Sequence, residues 1–150
     1  MISSPTPSIT GVILAGGQAR RMGGEDKGLV LYQQQALICF AIEALKPQVN
    51  QLIINANRNL ERYQEFNFPV ISDSISGFCG PLAGMLSAMQ AVDSDYILTA
   101  PCDCPSISAQ LRQRMMESLL LSSADIAVAY DGQRLQPVFS LIPCHLQDDL

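Results

Sequence analysis

Ile9-Thr10-Gly11-Val12-Ile13-Leu14-Ala15 runs directly into Gly16-Gly17-Gln18-Ala19-Arg20-Arg21-Met22-Gly23-Gly24-Glu25-Asp26-Lys27-Gly28. The first seven residues form a near-continuous apolar run, without the alternation of a half-exposed strand, so they read as a strand buried on both faces. Such a strand belongs to a parallel sheet covered by helices on either side. The segment after it carries four glycines within nine residues. Glycines let the backbone approach a ligand closely and point its N–H groups inward, which makes an anion nest. Arg20 and Arg21 offer forked donors to phosphate oxygens, and Lys27 offers a compact point charge. The spacing is neither GxxxxGK[ST] nor GxGxxG. A Gly-Gly loop alone is as often a turn with a solvated basic face. Three cations and four glycines immediately after a buried first strand favour the phosphate reading.

Working outward, the same rhythm repeats. Residues 1–8 are rich in Ser, Pro and Thr and read as a flexible leader to a single domain over 9–150. A helix is expected over Ala36–Leu45, a strand over Val49–Asn55, a short helix over Leu60–Phe66 and a short strand over Pro69–Ser72. A helix over Pro81–Val92, a strand over Asp95–Ala100 and a helix over Ser108–Leu121, with Ser108 as N-cap, follow. Asp125–Tyr130 and Gln136–Ile142 read as strands joined through Asp131-Gly132. The fold class is therefore α/β: a three-layer α/β/α sandwich, Rossmann-like, around a mostly parallel sheet. Ligands of such sheets sit beyond the carboxyl ends of the strands, where strand order reverses.

That rule directs attention to four strand ends. After the first strand come Leu14, Ala15, Gly16 and Gly17. After the second stands Asn55, whose amide can meet a base edge or a ribose, although Asn is also a common turn residue. After the third, Asp73 can take ribose hydroxyls, help to hold a metal's surroundings, or simply cap a turn. The Gly80–Gly84 stretch opens a helix; Gly84 there suits either an anion site or a close helix-to-sheet contact. After the fourth, Asp103 sits between Pro101 and Pro105. A carboxylate at that point suits Mg²⁺, which keeps several waters and takes one or two carboxylates plus substrate phosphates. Cys102 and Cys104 lack a second cysteine pair or a histidine cluster, so zinc is not expected. His145, the single histidine, receives no catalytic role.

Composition narrows the function classes. At 150 residues, with 48% hydrophobic and 15% charged residues, the chain can bury a real core. A net charge of −5 and the lack of a basic stripe argue against nucleic acid as a partner. No apolar run approaches the roughly 20 residues of a membrane span. Five cysteines without paired spacing, and no export signal at the start, point to a reducing, cytoplasmic setting.

Four segments in order resemble the nucleotidyltransferase superfamily with a Rossmann-like fold: Leu14–Gly17, Arg21–Gly23 and Asp26-Lys27 match its opening L-A-G-G-x-x-x-R-M-G and D-K. Ala19–Gly24, Asn55–Arg58 (N-A-N-R), Gly80–Met85 (G-P-L-A-G-M) and Pro101–Asp103 (P-C-D) are similar, more narrowly, to the molybdenum cofactor guanylyltransferases. The likeness extends from Ile9 to Ile142. It implies a magnesium-dependent guanylyltransferase with GTP and molybdopterin as substrates, and cofactor-handling proteins or apo-molybdoenzymes as further candidate partners. By that resemblance Leu14, Gly16, Gly17, Lys27, Asn55, Asp73 and Asp103 contact nucleotide and Asp103 holds the metal; Ala15, Arg20 and Gly84 are expected to bind nucleotide beside them, and Lys27, Arg21 and Asp103 to serve catalysis. A relative using CTP or a sugar-phosphate acceptor, or a non-catalytic nucleotide-binding module, would share much of this pattern. Two local departures stand out: Gln18 where lysine is frequent, and Tyr32-Gln33-Gln34-Gln35-Ala36 in place of x-G-K-P. The family also continues beyond the equivalent of Leu150 with an Asn-containing segment that closes the active site, which implies weakened catalysis for a chain lacking it.

Overall fold

The computed structural model describes residues 6–16, 26–74 and 80–149. Its main sheet is built from β1 (Ile9–Leu14), β4 (Gln51–Asn55), β5 (Val70–Ile71), β6 (Tyr96–Pro101), β7 (Ala127–Tyr130) and β8 (Leu135–Pro143). A separate ribbon pairs β2 (Leu31–Tyr32) with β3 (Gln35–Ala36), and the helices are α1 (Leu37–Leu45), α2 (Leu60–Gln64), α3 (Pro81–Ala91) and α4 (Leu111–Leu121). Strand order in the main sheet is β5-β4-β1-β6-β8-β7. β1 pairs in parallel with β4 and β6, β4 in parallel with β5, and only β8 runs against its neighbours. The chain moves outward from β1 to β4 and β5, then returns to β6 on the other flank, so strand order reverses at β1.

Strand periodicity explains the layers. Ile9, Ile13 and Ala15 of the first strand and its exit, with Leu52, Ile54, Leu98 and Ala100, point to the face covered by Ile38, Ala41 and Leu45 of α1, Tyr63 of α2, and Met115 and Leu119 of α4. Val12, Ile53 and Ile97 point to the other face, against Met85, Ala88 and Met89 of α3. Both faces of β1 are therefore filled, as its near-continuous apolar run requires. Among the described residues, no helix is long and apolar enough to cross a membrane.

The expected elements are present, with local corrections. Ser8, placed in the leader by composition, is tied down: its backbone N–H donates to Asp95 Oδ2 at 2.9 Å, and its hydroxyl accepts from the Asp95 N–H at 2.9 Å. Ser108 is not the N-cap of α4, which begins at Leu111 after Gln110. The Ser108 hydroxyl instead accepts from the Gln110 N–H at 3.1 Å, closing a turn ahead of the helix. The β2–β3 ribbon was not expected, because Gln33 and Gln34 lack the Asn-Gly signature of a tight hairpin. Both nonetheless adopt positive φ, 49° and 68°. The expected Asp131-Gly132 turn is formed, with Asp131 Oδ1 accepting from Gln133 and Arg134 N–H groups at 2.9 Å each.

Candidate functional site

Parallel register brings the strand ends to one level. Leu14 lies opposite Asn55 on one side and Pro101 on the other, and Asn55 lies opposite Ile71. The exits stay joined past the last ladder pair: the Ala15 N–H donates to Asn55 O at 2.7 Å, and the Cys102 N–H to Leu14 O at 3.2 Å. Gly16, Asn57, Asp73 and Asp103 consequently emerge along one continuous rim. Two polar groups occupy it.

The first faces α3. Asn55, only 2% exposed, shares the parity of Ile53 and so points to the α3 side. Its Nδ2 donates to Asp73 Oδ1 at 2.8 Å. Asn57 Nδ2 donates to Asp73 Oδ2 at 2.9 Å and to Gly16 O at 3.2 Å, while the Asp73 N–H donates to Asn57 Oδ1 at 2.8 Å. Glycine is required on two sides of this group. A Cβ on Gly84 would lie 2.5 Å from Asn55 Oδ1 and 3.1 Å from Leu14 Cδ2. A Cβ on Gly16 would lie 2.9 Å from both Asn55 Oδ1 and Asn57 Nδ2. Gly84 thus sits inside α3 as a close helix-to-sheet contact, the second of the two readings open to it from sequence.

The second group lies where the chain re-enters after the glycine-rich segment. Lys27 Nζ is 3.9 Å from Asp103 Oδ2, with side chains 51% and 35% exposed. At such exposure the pair contributes about 0–1 kcal/mol to stability. It leaves a cation and a carboxylate half in solvent, open to a ligand. What holds Lys27 there is buried beside it. Gly28 packs so tightly that a Cβ would sit 3.0 Å from Cys102 Sγ and 3.0 Å from the Tyr63 hydroxyl. Asp26, 6% exposed, accepts from Asn59 Nδ2 at 2.8 Å and lies 3.8 Å from Arg58 Nη2. Asn59 can reach back because it takes a left-handed conformation, φ 53°, at the start of α2. Among the described residues, the buried Arg58 Nε and Nη2 and the Tyr63 hydroxyl have no hydrogen-bond partner.

Charge states follow from burial. The Cys102 thiol is pushed up to about 12 by burial, then by the neighbouring Asp103 and Asp26 carboxylates. It stays protonated at neutral pH. Burial, followed by Cys102 and Asp26, also raises the Tyr63 hydroxyl well above its ordinary range.

Of the residues singled out from sequence, Leu14, Ala15, Gly16, Lys27, Asn55, Asp73, Gly84 and Asp103 line this rim or pack directly behind it. Gly17, Arg20 and Arg21 lie outside the described residues. Sequence reasoning noted Asn57, Asp26 and Arg58 only as motif members, without a role, and passed over Asn59 and Tyr63. The Asn55-Ala56-Asn57 spacing was the available signal for the first, since alternate residues share a side. A buried acidic residue next to Lys27 carries no comparable mark.

The chain matches the family model described as MobA-like NTP transferase domain over residues 11–150. It is 55% identical over 137 residues to a protein of Shewanella loihica named molybdenum cofactor guanylyltransferase, an alignment spanning 91% of this chain and 70% of the relative. Among solved structures, it is similar to molybdopterin-guanine dinucleotide biosynthesis protein A from Archaeoglobus fulgidus, with a TM-score of 0.72 at 19% identity, covering 93% of this chain and 70% of the other. A manganese complex of a Mycobacterium tuberculosis protein, at 17% identity, superposes with a TM-score of 0.71 over 95% of this chain and 74% of the other. The last two likenesses concern the fold; the first, together with the family model, concerns descent, and the chain belongs to the MobA-like NTP transferase family.

Proposed function

We propose that this protein transfers GMP from GTP to the terminal phosphate of molybdopterin, releasing pyrophosphate. The observation that carries the reading is the apposition of Lys27 and Asp103 on the rim that also bears Gly16 and Asp73. The name of the Shewanella loihica relative, molybdenum cofactor guanylyltransferase, supports a guanylyl donor and a molybdenum cofactor acceptor. In the reaction an oxygen of the acceptor phosphate forms a new bond to the GTP α-phosphorus. The bond from that phosphorus to the oxygen bridging to the β-phosphate breaks, and pyrophosphate leaves. Such a displacement needs positioning and charge neutralisation, with no covalent protein intermediate. The nucleophile is already ionised at neutral pH, so no histidine base is required.

In this reading Lys27 neutralises charge growing on the α-phosphate and the leaving group. Arg20, Arg21 and the amides of Gly16 and Gly17 hold the β- and γ-phosphates, while Asn55, Asp73 and the close pass of Gly84 shape the nucleoside end. Asp103 fits a magnesium ion that arrives with the triphosphate: it is a hard oxygen donor, partly exposed, at the tip of β6. Among the described residues, no group of three or more His, Cys, Asp or Glu could hold a metal ion unaided, so a shared protein–phosphate site suits this rim better than a preformed cage. Magnesium bound there supplies Lewis-acid neutralisation of the phosphates. The test is pyrophosphate release with each nucleoside triphosphate in the presence of molybdopterin. Release with GTP, dependent on acceptor, supports the reading; turnover with CTP and none with GTP overturns it.

A further inference from the structure

Asn57 has no part in the chemistry just described, yet one amide joins three strand ends. It leaves β4, donates to the Gly16 carbonyl beyond β1, and engages Asp73 beyond β5 through both the main-chain N–H and the carboxylate. Asn55 donates to the other carboxylate oxygen. Each oxygen of Asp73 therefore carries one N–H, and both donors are anchored to the sheet. An ionised carboxylate offers about four lone-pair sites, so each oxygen keeps room for one more donor. Two fixed bonds also stop the carboxylate from rotating. What results is a forked acceptor of set orientation, suited to a ligand with two adjacent donors. A guanosine nucleotide carries two such pairs: the N1–H and 2-amino group of the base, and the vicinal ribose hydroxyls.

We propose that Asn57 is a positioning residue for nucleoside recognition, locking the Asp73 carboxylate as a forked acceptor for paired donors of the bound nucleotide. This rests on the reading of the rim as a GTP site. Because Asn57 acts through Asp73, its loss should matter only while Asp73 is present.

The experiment is calorimetric binding of Mg·GTP, Mg·ITP and Mg·2′-deoxyGTP, without acceptor, to the parent, Asn57→Ala, Asp73→Ala and the double variant. Asn57→Ala should weaken GTP binding about tenfold, on the scale of a hydrogen bond to a charged group. The double variant should bind no worse than Asp73→Ala alone. The parent's preference for GTP over ITP (if the base edge supplies the donors) or over 2′-deoxyGTP (if the ribose does) should shrink in Asn57→Ala. Asn57→Asp, which keeps the shape but loses the donor and adds a like charge, should bind more weakly than Asn57→Ala. Unchanged affinity in Asn57→Ala, additive losses in the double variant, or an equal loss for all three nucleotides each overturn the inference. A parent that binds GTP but releases no pyrophosphate once molybdopterin is supplied refutes the proposed function and leaves the inference to the binding data; a parent that binds no GTP refutes both.

Discussion

Replacing Gly84 by alanine would place a methyl carbon 2.5 Å from Asn55 Oδ1, 3.0 Å from Asn55 Cγ and 3.1 Å from Leu14 Cδ2. In an ordinary helix interior the same change stabilises by roughly 1 kcal/mol, because glycine is the poorer helix former. Here the crowded atom belongs to an amide that cannot easily yield: Asn55 is buried and its Nδ2 holds Asp73 at 2.8 Å. Overpacking of this kind costs roughly 1–3 kcal/mol. The two effects leave a net loss of about 1 kcal/mol, which in a chain of this size lowers Tm by about 2–4 °C. If Asn55 shifts, its bond to Asp73 lengthens or breaks, and GTP affinity should fall by about tenfold. Thermal melting and calorimetric titration with Mg·GTP read the two consequences separately. A rise in Tm of a few degrees with unchanged GTP affinity would refute the reasoning, since Gly84 would then be an ordinary helical glycine with room to spare.

Three further outcomes follow from other parts of the structure. Gln33→Asn with Gln34→Gly should raise Tm by about 4–8 °C without altering GTP affinity, because positions 33 and 34 hold left-handed conformations that cost a glutamine roughly 1 kcal/mol each and that Asn and Gly tolerate; an unchanged melt contradicts it. Asp26→Asn should lower stability by about 1–3 kcal/mol, less than the loss of a fully buried pair because the Arg58 side chain is 37% exposed; denaturant unfolding with an unshifted midpoint contradicts that. Cys102 is buried and Cys104 partly exposed, so brief alkylation of the native protein, followed by peptide mass spectrometry, should label Cys104 and spare Cys102. Equal labelling would mean that Gly28 and Tyr63 do not seal the thiol.

The fold was legible because β1 is buried on both faces and, Thr10 aside, therefore apolar, the pattern of a strand inside a two-sided layer. The strand ends were legible for a related reason: glycine, asparagine and aspartate cluster there, and the topology sends them to one edge. What the sequence concealed lies in side-chain relations between distant segments. Ser108 looks like an N-cap, but its hydroxyl is satisfied one turn early by Gln110. Gln33-Gln34 gives no local sign of a tight turn; its neighbours fold it as one by pairing Leu31 with Ala36 and Tyr32 with Gln35. Asp26 reads as half of an ordinary Asp-Lys pair until Asn59 and Arg58, more than thirty residues on, enclose it. Gly84 left two readings open, and only Asn55, arriving from β4 to fill the space where its side chain would be, decides for the close helix-to-sheet contact.

Lys27 and Asp103 carry the central claim, because their half-exposed pair adds little to stability and the proposed function gives it a shared ligand. The direct measurement is steady-state pyrophosphate release from Mg·GTP and molybdopterin by the parent, Lys27→Ala and Asp103→Ala, with Tm recorded for each. Turnover should fall by about a hundredfold or more in both variants, the scale of removing one electrostatic stabiliser of developing charge, while Tm moves by no more than about 2–4 °C. Undiminished turnover in either variant, or a loss that simply tracks unfolding, would contradict the account.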